Sequence, residues 1–131
     1  MKLKKLTPNL VVRNVEASLT FYRSVLGFEL GFTVPDAPPY VFGSVTSGAV
    51  EIFFNDQKAV FAEYPALGAK PIGGSLTLFI EVEGIDDLFR RVQQHGAKIT
   101  MPIKDQFYGM REFAFEDPEG WVITFAQRIE K

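Results

Sequence analysis

The sequence predicts an α+β fold: two tandem βαβββ modules whose strands form a curved, barrel-like mixed sheet with the helices outside. Three observations predict it. Strand-like runs and helical stripes alternate in the same order twice, each helical stripe stops at a glycine, and the landmarks of the two halves keep a nearly constant separation. Val12 and Val82 lie 70 positions apart, as do Val15 and Ile85; Gly27 and Gly96 lie 69 apart, and Gly48 and Gly120 lie 72 apart. Four landmarks at nearly constant spacing indicate a duplicated unit.

The elements follow in order. Residues 6–12, LTPNLVV, are rich in strand formers and precede Asn14, a residue suited to cap a helix. Val15, Leu19, Tyr22 and Leu26 then recur at helical spacing, and Gly27 stands where a left-handed stop is needed. Three strands are expected next, at about 28–34, 40–46 and 50–55. The Pro-, Gly- and Ala-rich stretch from Tyr64 to Gly74 reads as a connection. SLTLFIEVEG opens the second half as a strand, and Ile85, Leu88, Phe89 and Val92 repeat the helical stripe, with Asp86 and Asp87 in the first turn and Gly96 at the stop. The closing strands fall at about 98–101, 109–116 and 121–128, the last two joined by the turn Asp117-Pro118-Glu119-Gly120. Module one therefore spans about 5–57, the linker about 58–74 and module two about 75–129. The two are expected to form a single domain over 1–131, because a small sheet buries only one face against its own helix.

Composition narrows the function classes. Of 131 residues, 47% are hydrophobic and 23% charged, enough apolar material for a real core. The net charge of −2 argues against nucleic acid, which needs a basic face. The lack of cysteine removes thiol nucleophiles, disulfides and zinc–thiolate sites. MKLKKLTPNL carries positive charge with no apolar run behind it, and no stretch approaches the ~20 apolar residues of a membrane span. No membrane partner and a cytoplasmic location are expected.

Two stretches, VVRNVEASLTFYRSVLGF and YGMREFAFEDPEGWVITF, resemble the two ends of the vicinal oxygen chelate superfamily, which includes glyoxalase I, extradiol dioxygenases, fosfomycin-resistance enzymes and bleomycin-resistance proteins. The motifs Phe21-Tyr22…Leu26-Gly27 and Asp117-Pro118…Gly120 carry the resemblance, which covers nearly the whole chain. It implies paired modules, a homodimer and a groove built on the inner sheet faces. Metal-using members place a His on the first strand of a module and a Glu on the last. The matching positions here are Thr7, Thr77, Glu51 and Thr124. One carboxylate and three threonines are a poor donor set for Mn, Fe, Ni or Zn, so no metal and no other cofactor is expected. The single histidine, His95, falls in the last turn of the second helix, where it suits the negative helix end.

The same resemblance, extended by strand alternation, lists the inner face as Thr7, Asn9, Glu51, Phe53, Thr77, Phe79, Glu112, Ala114 and Thr124, with Tyr108 at the groove mouth. Phe113, Phe115, Ile123 and Phe125 then face the helices as core. Arg111 faces outward. A carboxylate in an apolar run such as GAVEIFF is costly if buried unpaired, and a wet groove or a cationic guest removes that cost. Edge exposure, or an ion pair with Arg13 or Arg111, is the structural alternative for Glu51 and Glu112.

The closest match is to the bleomycin-resistance type, through its aromatic-Gly…Arg-Glu-Phe-Ala…Asp-Pro…Gly pattern, with Met110 as one extra residue. That implies a metal-independent, homodimeric binder of a small organic ligand, cationic and aromatic, with Phe53, Phe79 and Tyr108 stacking and Glu51 and Glu112 offering charge. A lyase, isomerase or dioxygenase of the glyoxalase type is the alternative and requires Glu51 as ligand or base.

Overall fold

The computed structural model describes residues 1–130. The chain divides into two compact units, one ending at Pro71 and the next starting at Ile72. The first contains β1 (Asn9–Val12), α1 (Val15–Ser24), β2 (Glu29–Val34), β3 (Phe42–Ser47), β4 (Val50–Asp56) and α2 (Gln57–Glu63), followed by a 3-10 turn at Pro65–Ala69. The second contains β5 (Thr77–Glu81), α3 (Ile85–Gln94), β6 (Lys98–Asp105), β7 (Met110–Glu116) and β8 (Val122–Arg128). Their sheets run β1-β4-β3-β2 and β5-β8-β7-β6. In each, the first and last strands of the module pair in parallel and the other neighbours are antiparallel. This is the predicted α+β architecture of two βαβββ modules, built as two separate four-stranded sheets.

The local signals act as read. The Asn14 side chain accepts from the Ala17 amide at 3.0 Å and caps α1. At the other end Gly27 takes φ 77 and donates its amide to the Arg23 carbonyl. Tyr22, fully buried, packs its ring 4.9 Å from Phe54 and joins α1 to its sheet. In module two, Phe89 of α3 meets Phe113 at 5.0 Å, and the Phe113, Phe115 and Phe125 rings stack along the same face. His95 is the C-cap of α3 and is exposed.

Two segments differ from expectation. The predicted linker at about 58–74 holds α2 and the 3-10 turn. Asp56 caps α2 by accepting from the Lys58 amide at 3.0 Å, and Val60 is buried, so one apolar anchor and one cap suffice for a short helix. The strand predicted at 98–101 continues to Asp105 through Pro102. β6 is an edge strand whose register shifts on both sides of Met101, and an edge tolerates the missing amide of a proline.

Among the described residues, no helix is long and apolar enough to cross a membrane.

Candidate functional site

Strand register settles which residues share a face. In module two the face turned away from α3 is crossed by three rows. The first runs Glu81, Ala126, Glu112, Lys104; the second Phe79, Thr124, Ala114, Met101; the third Thr77, Val122, Glu116, Lys98. Thr77, Phe79, Glu112, Ala114 and Thr124 thus lie together on one face. Phe79 is 54% exposed. Glu112 is the opposite case, a carboxylate only 3% exposed.

Glu112 is held on one side only. The Tyr108 hydroxyl donates to its Oε1 at 2.8 Å, while Oε2 is buried with no donor. Its flanking residues on the face, Ala114 and Ala126, are the smallest that keep a side chain, and the exposed Lys104 stands opposite in the register. Tyr108 sits on the turn between β6 and β7, beside the fully exposed Phe107 ring at 5.1 Å. Arg111, offered by the sequence as a partner for Glu112, is engaged elsewhere. Arg111 donates to Asp86 at 3.0 Å and to Asp105 at 2.9 Å, clasping β7 to the start of α3 and the end of β6. Those two hydrogen bonds, Asp105 first, raise the guanidinium pKa above its ordinary value, so Arg111 stays charged at every working pH. A cleft of about 590 Å³ opens at this clasp on the helix side of the sheet, and its central cation is already neutralised by the two aspartates.

The hydrogen bond to Glu112 also raises the Tyr108 pKa above 10.0, with burial and the carboxylate's charge adding to it. The neutral phenol is therefore the form the fold favours. Its contribution is complete below the unfolded-state value and is lost as pH rises through the folded value. Tyrosinate absorbance across an alkaline titration, wild type minus Tyr108→Phe, should show one phenol ionising above 10.0. A difference curve centred at or below that value would mean the bond to Glu112 does not persist in solution.

Module one carries a different surface. Asn9, Glu51 and Phe53 share the face away from α1, as read from sequence, and Thr7 lies just before β1. Glu51 is paired: the Lys5 ammonium donates to its Oε1 at 2.6 Å. Sequence reading misses this partner, because nothing local in MKLKKLTPNL marks Lys5 as meeting a residue 46 positions away. It also missed Phe32, 56% exposed, whose ring lies 5.1 Å from Phe42, itself 5.1 Å from Phe53. These three rings cross β2, β3 and β4. The register shift between Leu30 and Thr33 puts Phe32 on that face, and such a shift leaves no mark on the alternation of the sequence.

The positions that correspond to metal ligands do not suit a divalent ion in either module. In module two the Thr77 and Thr124 hydroxyls hydrogen-bond each other at 2.6 Å. In module one the one carboxylate, Glu51, already holds a lysine, and Thr7 adds a neutral hydroxyl at most.

The comparisons agree with this architecture. The family model of the Glyoxalase/Bleomycin resistance protein/Dioxygenase superfamily matches residues 4–125. A bleomycin resistance protein of Geobacillus stearothermophilus is 31% identical over 128 residues, covering 94% of this chain and 96% of that protein. Staphylococcus aureus proteins of the same name match at the same identity and coverage. Among solved structures, a glyoxalase/bleomycin resistance protein/dioxygenase from Nocardioides superposes with a TM-score of 0.79 at 23% identity, covering 99% of this chain and 86% of that one. TioX from Micromonospora gives a TM-score of 0.77 at 18% identity, covering 97% and 100%. At such identities the structures speak for the fold. With a model match over most of the length and a relative above 30% identity, the chain belongs to the glyoxalase/bleomycin resistance protein/dioxygenase superfamily.

Proposed function

We propose that this protein is a metal-independent, homodimeric binder that sequesters a small cationic, aromatic compound. The observation that carries the reading is Glu112, a buried carboxylate with one oxygen lacking any donor. Burying an unpaired anion costs several kcal/mol unless a partner arrives, on the order of the penalties measured for buried charges. A cationic guest is such a partner, and exposed Phe79 in the neighbouring row of the same face offers it a ring to cover. In module one Phe53 serves the same purpose, reinforced by Phe42 and Phe32. Thr7, Asn9, Thr77 and Thr124 supply short polar groups around these rings.

Identity to proteins named for bleomycin resistance supports a small organic compound as the guest. Of the two acids, Glu112 is the stronger candidate for its charge, since Lys5 already occupies Glu51. That ion pair also weakens the enzymatic reading of a glyoxalase-type lyase, isomerase or dioxygenase, for which Glu51 would have to act as base or ligand.

A thermal-shift panel of cationic aromatic compounds, metal-free bleomycin among them, tests the proposal on protein whose metal content and light-scattering mass are measured in parallel. Expected are raised melting temperatures for members of the panel, no stoichiometric transition metal and a dimer mass. A flat panel, or about one Mn, Fe, Ni or Zn per subunit, overturns it.

A further inference from the structure

We infer that Tyr108 is a specificity-determining residue that makes the Glu112 site prefer ammonium groups over forked amidinium and guanidinium groups. The inference rests on the reading of Glu112 as the guest's counter-charge, and it narrows the class of that guest.

An ionised carboxylate ordinarily offers two equivalent oxygens, and a guanidinium or amidinium binds it best by spanning both with parallel N–H bonds. At Glu112 the two oxygens are not equivalent. Oε1 already accepts the Tyr108 hydroxyl at 2.8 Å, and Oε2 accepts nothing. A planar fork would have to share Oε1 with the phenol, losing the even two-point fit that gives it its advantage. An ammonium is a compact charge that needs one oxygen, and Oε2, closed to solvent in the free protein, is the oxygen the guest uncovers on binding. The neighbours on the face add no second acceptor for a fork. Along the row Glu112 is flanked by Ala126 and by the cationic Lys104, and along its own strand the next residue on the face is Ala114. Tyr108 itself is 53% exposed on a turn, so its hydroxyl can be removed without disturbing the core.

Benzylamine and benzamidine form a suitable pair of probes, each a single ring with one positive charge, differing in whether the cation is compact or forked. Dissociation constants are measured by protein-observed NMR titration for the wild type, Tyr108→Phe and Glu112→Gln. The wild type should bind benzylamine more tightly than benzamidine. In Tyr108→Phe, which keeps the ring and frees Oε1, the affinity ratio should move toward benzamidine by about tenfold, the size of one charge-assisted hydrogen bond gained. Equal or tighter binding of benzamidine by the wild type, or a ratio unchanged by Tyr108→Phe, overturns the selectivity while leaving Glu112 as counter-charge. No binding of either amine or amidine, or benzylamine binding untouched by Glu112→Gln, overturns the counter-charge reading and the selectivity with it.

Discussion

Replacing Asp117 with alanine should lower the unfolding free energy by about 3–6 kcal/mol, the sum of two hydrogen bonds to a charged group at about 1.5–3 each. Asp117 is buried at the head of the turn between β7 and β8, and its Oδ1 accepts from the Glu119 and Trp121 amides, both at 2.9 Å. The backbone adds a second closure, with the Asp117 amide on the Trp121 carbonyl and the Gly120 amide on the Asp117 carbonyl. Gly120 reaches φ 92 to make this possible. The truncation therefore leaves two amides of a covered turn without their acceptor, at the point that sets the register of the central strands. Asp117→Asn retains an acceptor oxygen and should lose markedly less. Chemical denaturation of both variants decides the matter: a loss below about 1 kcal/mol for Asp117→Ala would show that backbone bonds alone hold the turn.

Glu112→Gln should weaken binding of a cationic aromatic guest by roughly ten- to a hundredfold, corresponding to about 1.5–3 kcal/mol for a charge-assisted contact. Stability should hold or rise, because the buried oxygen without a donor no longer belongs to an anion. The shape is kept and Gln still accepts from Tyr108, so the two readouts isolate the charge. The contrary pattern is equally concrete. A lower melting temperature with unchanged affinity would make Glu112 a scaffold residue, with Lys104, opposite it in the register, as the natural counter-ion.

Face membership was legible from sequence and pairing was not. Alternation along β4, β7 and β8 assigns Glu51, Phe53, Glu112, Ala114 and Thr124 to their faces, because a strand has only two sides and apolar runs mark the buried one. The helices were legible for the same kind of reason: a stripe, an Asn14 cap and glycine stops are local signals. The Lys5–Glu51 ion pair spans 46 positions, and no local pattern encodes a meeting that distant. Phe32 and the far end of β6 were lost to register shifts, which move a residue across the sheet without altering its neighbours in sequence. The helix α2 escaped because Pro65 and Gly68 nearby spoke louder than the single Asp56 cap.

The three rows across module two have a consequence for how such a protein can change over generations. Positions 112, 114, 124 and 126 lie on the face away from α3, while 113, 115, 123 and 125 meet α3 and the aromatic core. Adjacent codons therefore answer to different selective pressures. Both sets are buried, so a substitution on either face carries a folding cost, set by fit to α3 on one side and by polar pairing on the other. Within the face away from α3 each row has its own chemistry: charge in the first, ring and hydroxyl in the second, ion pair in the third. A lineage that changes the chemistry of this face must change the first row alone or the second and third together, because the Thr77–Thr124 hydrogen bond joins those two.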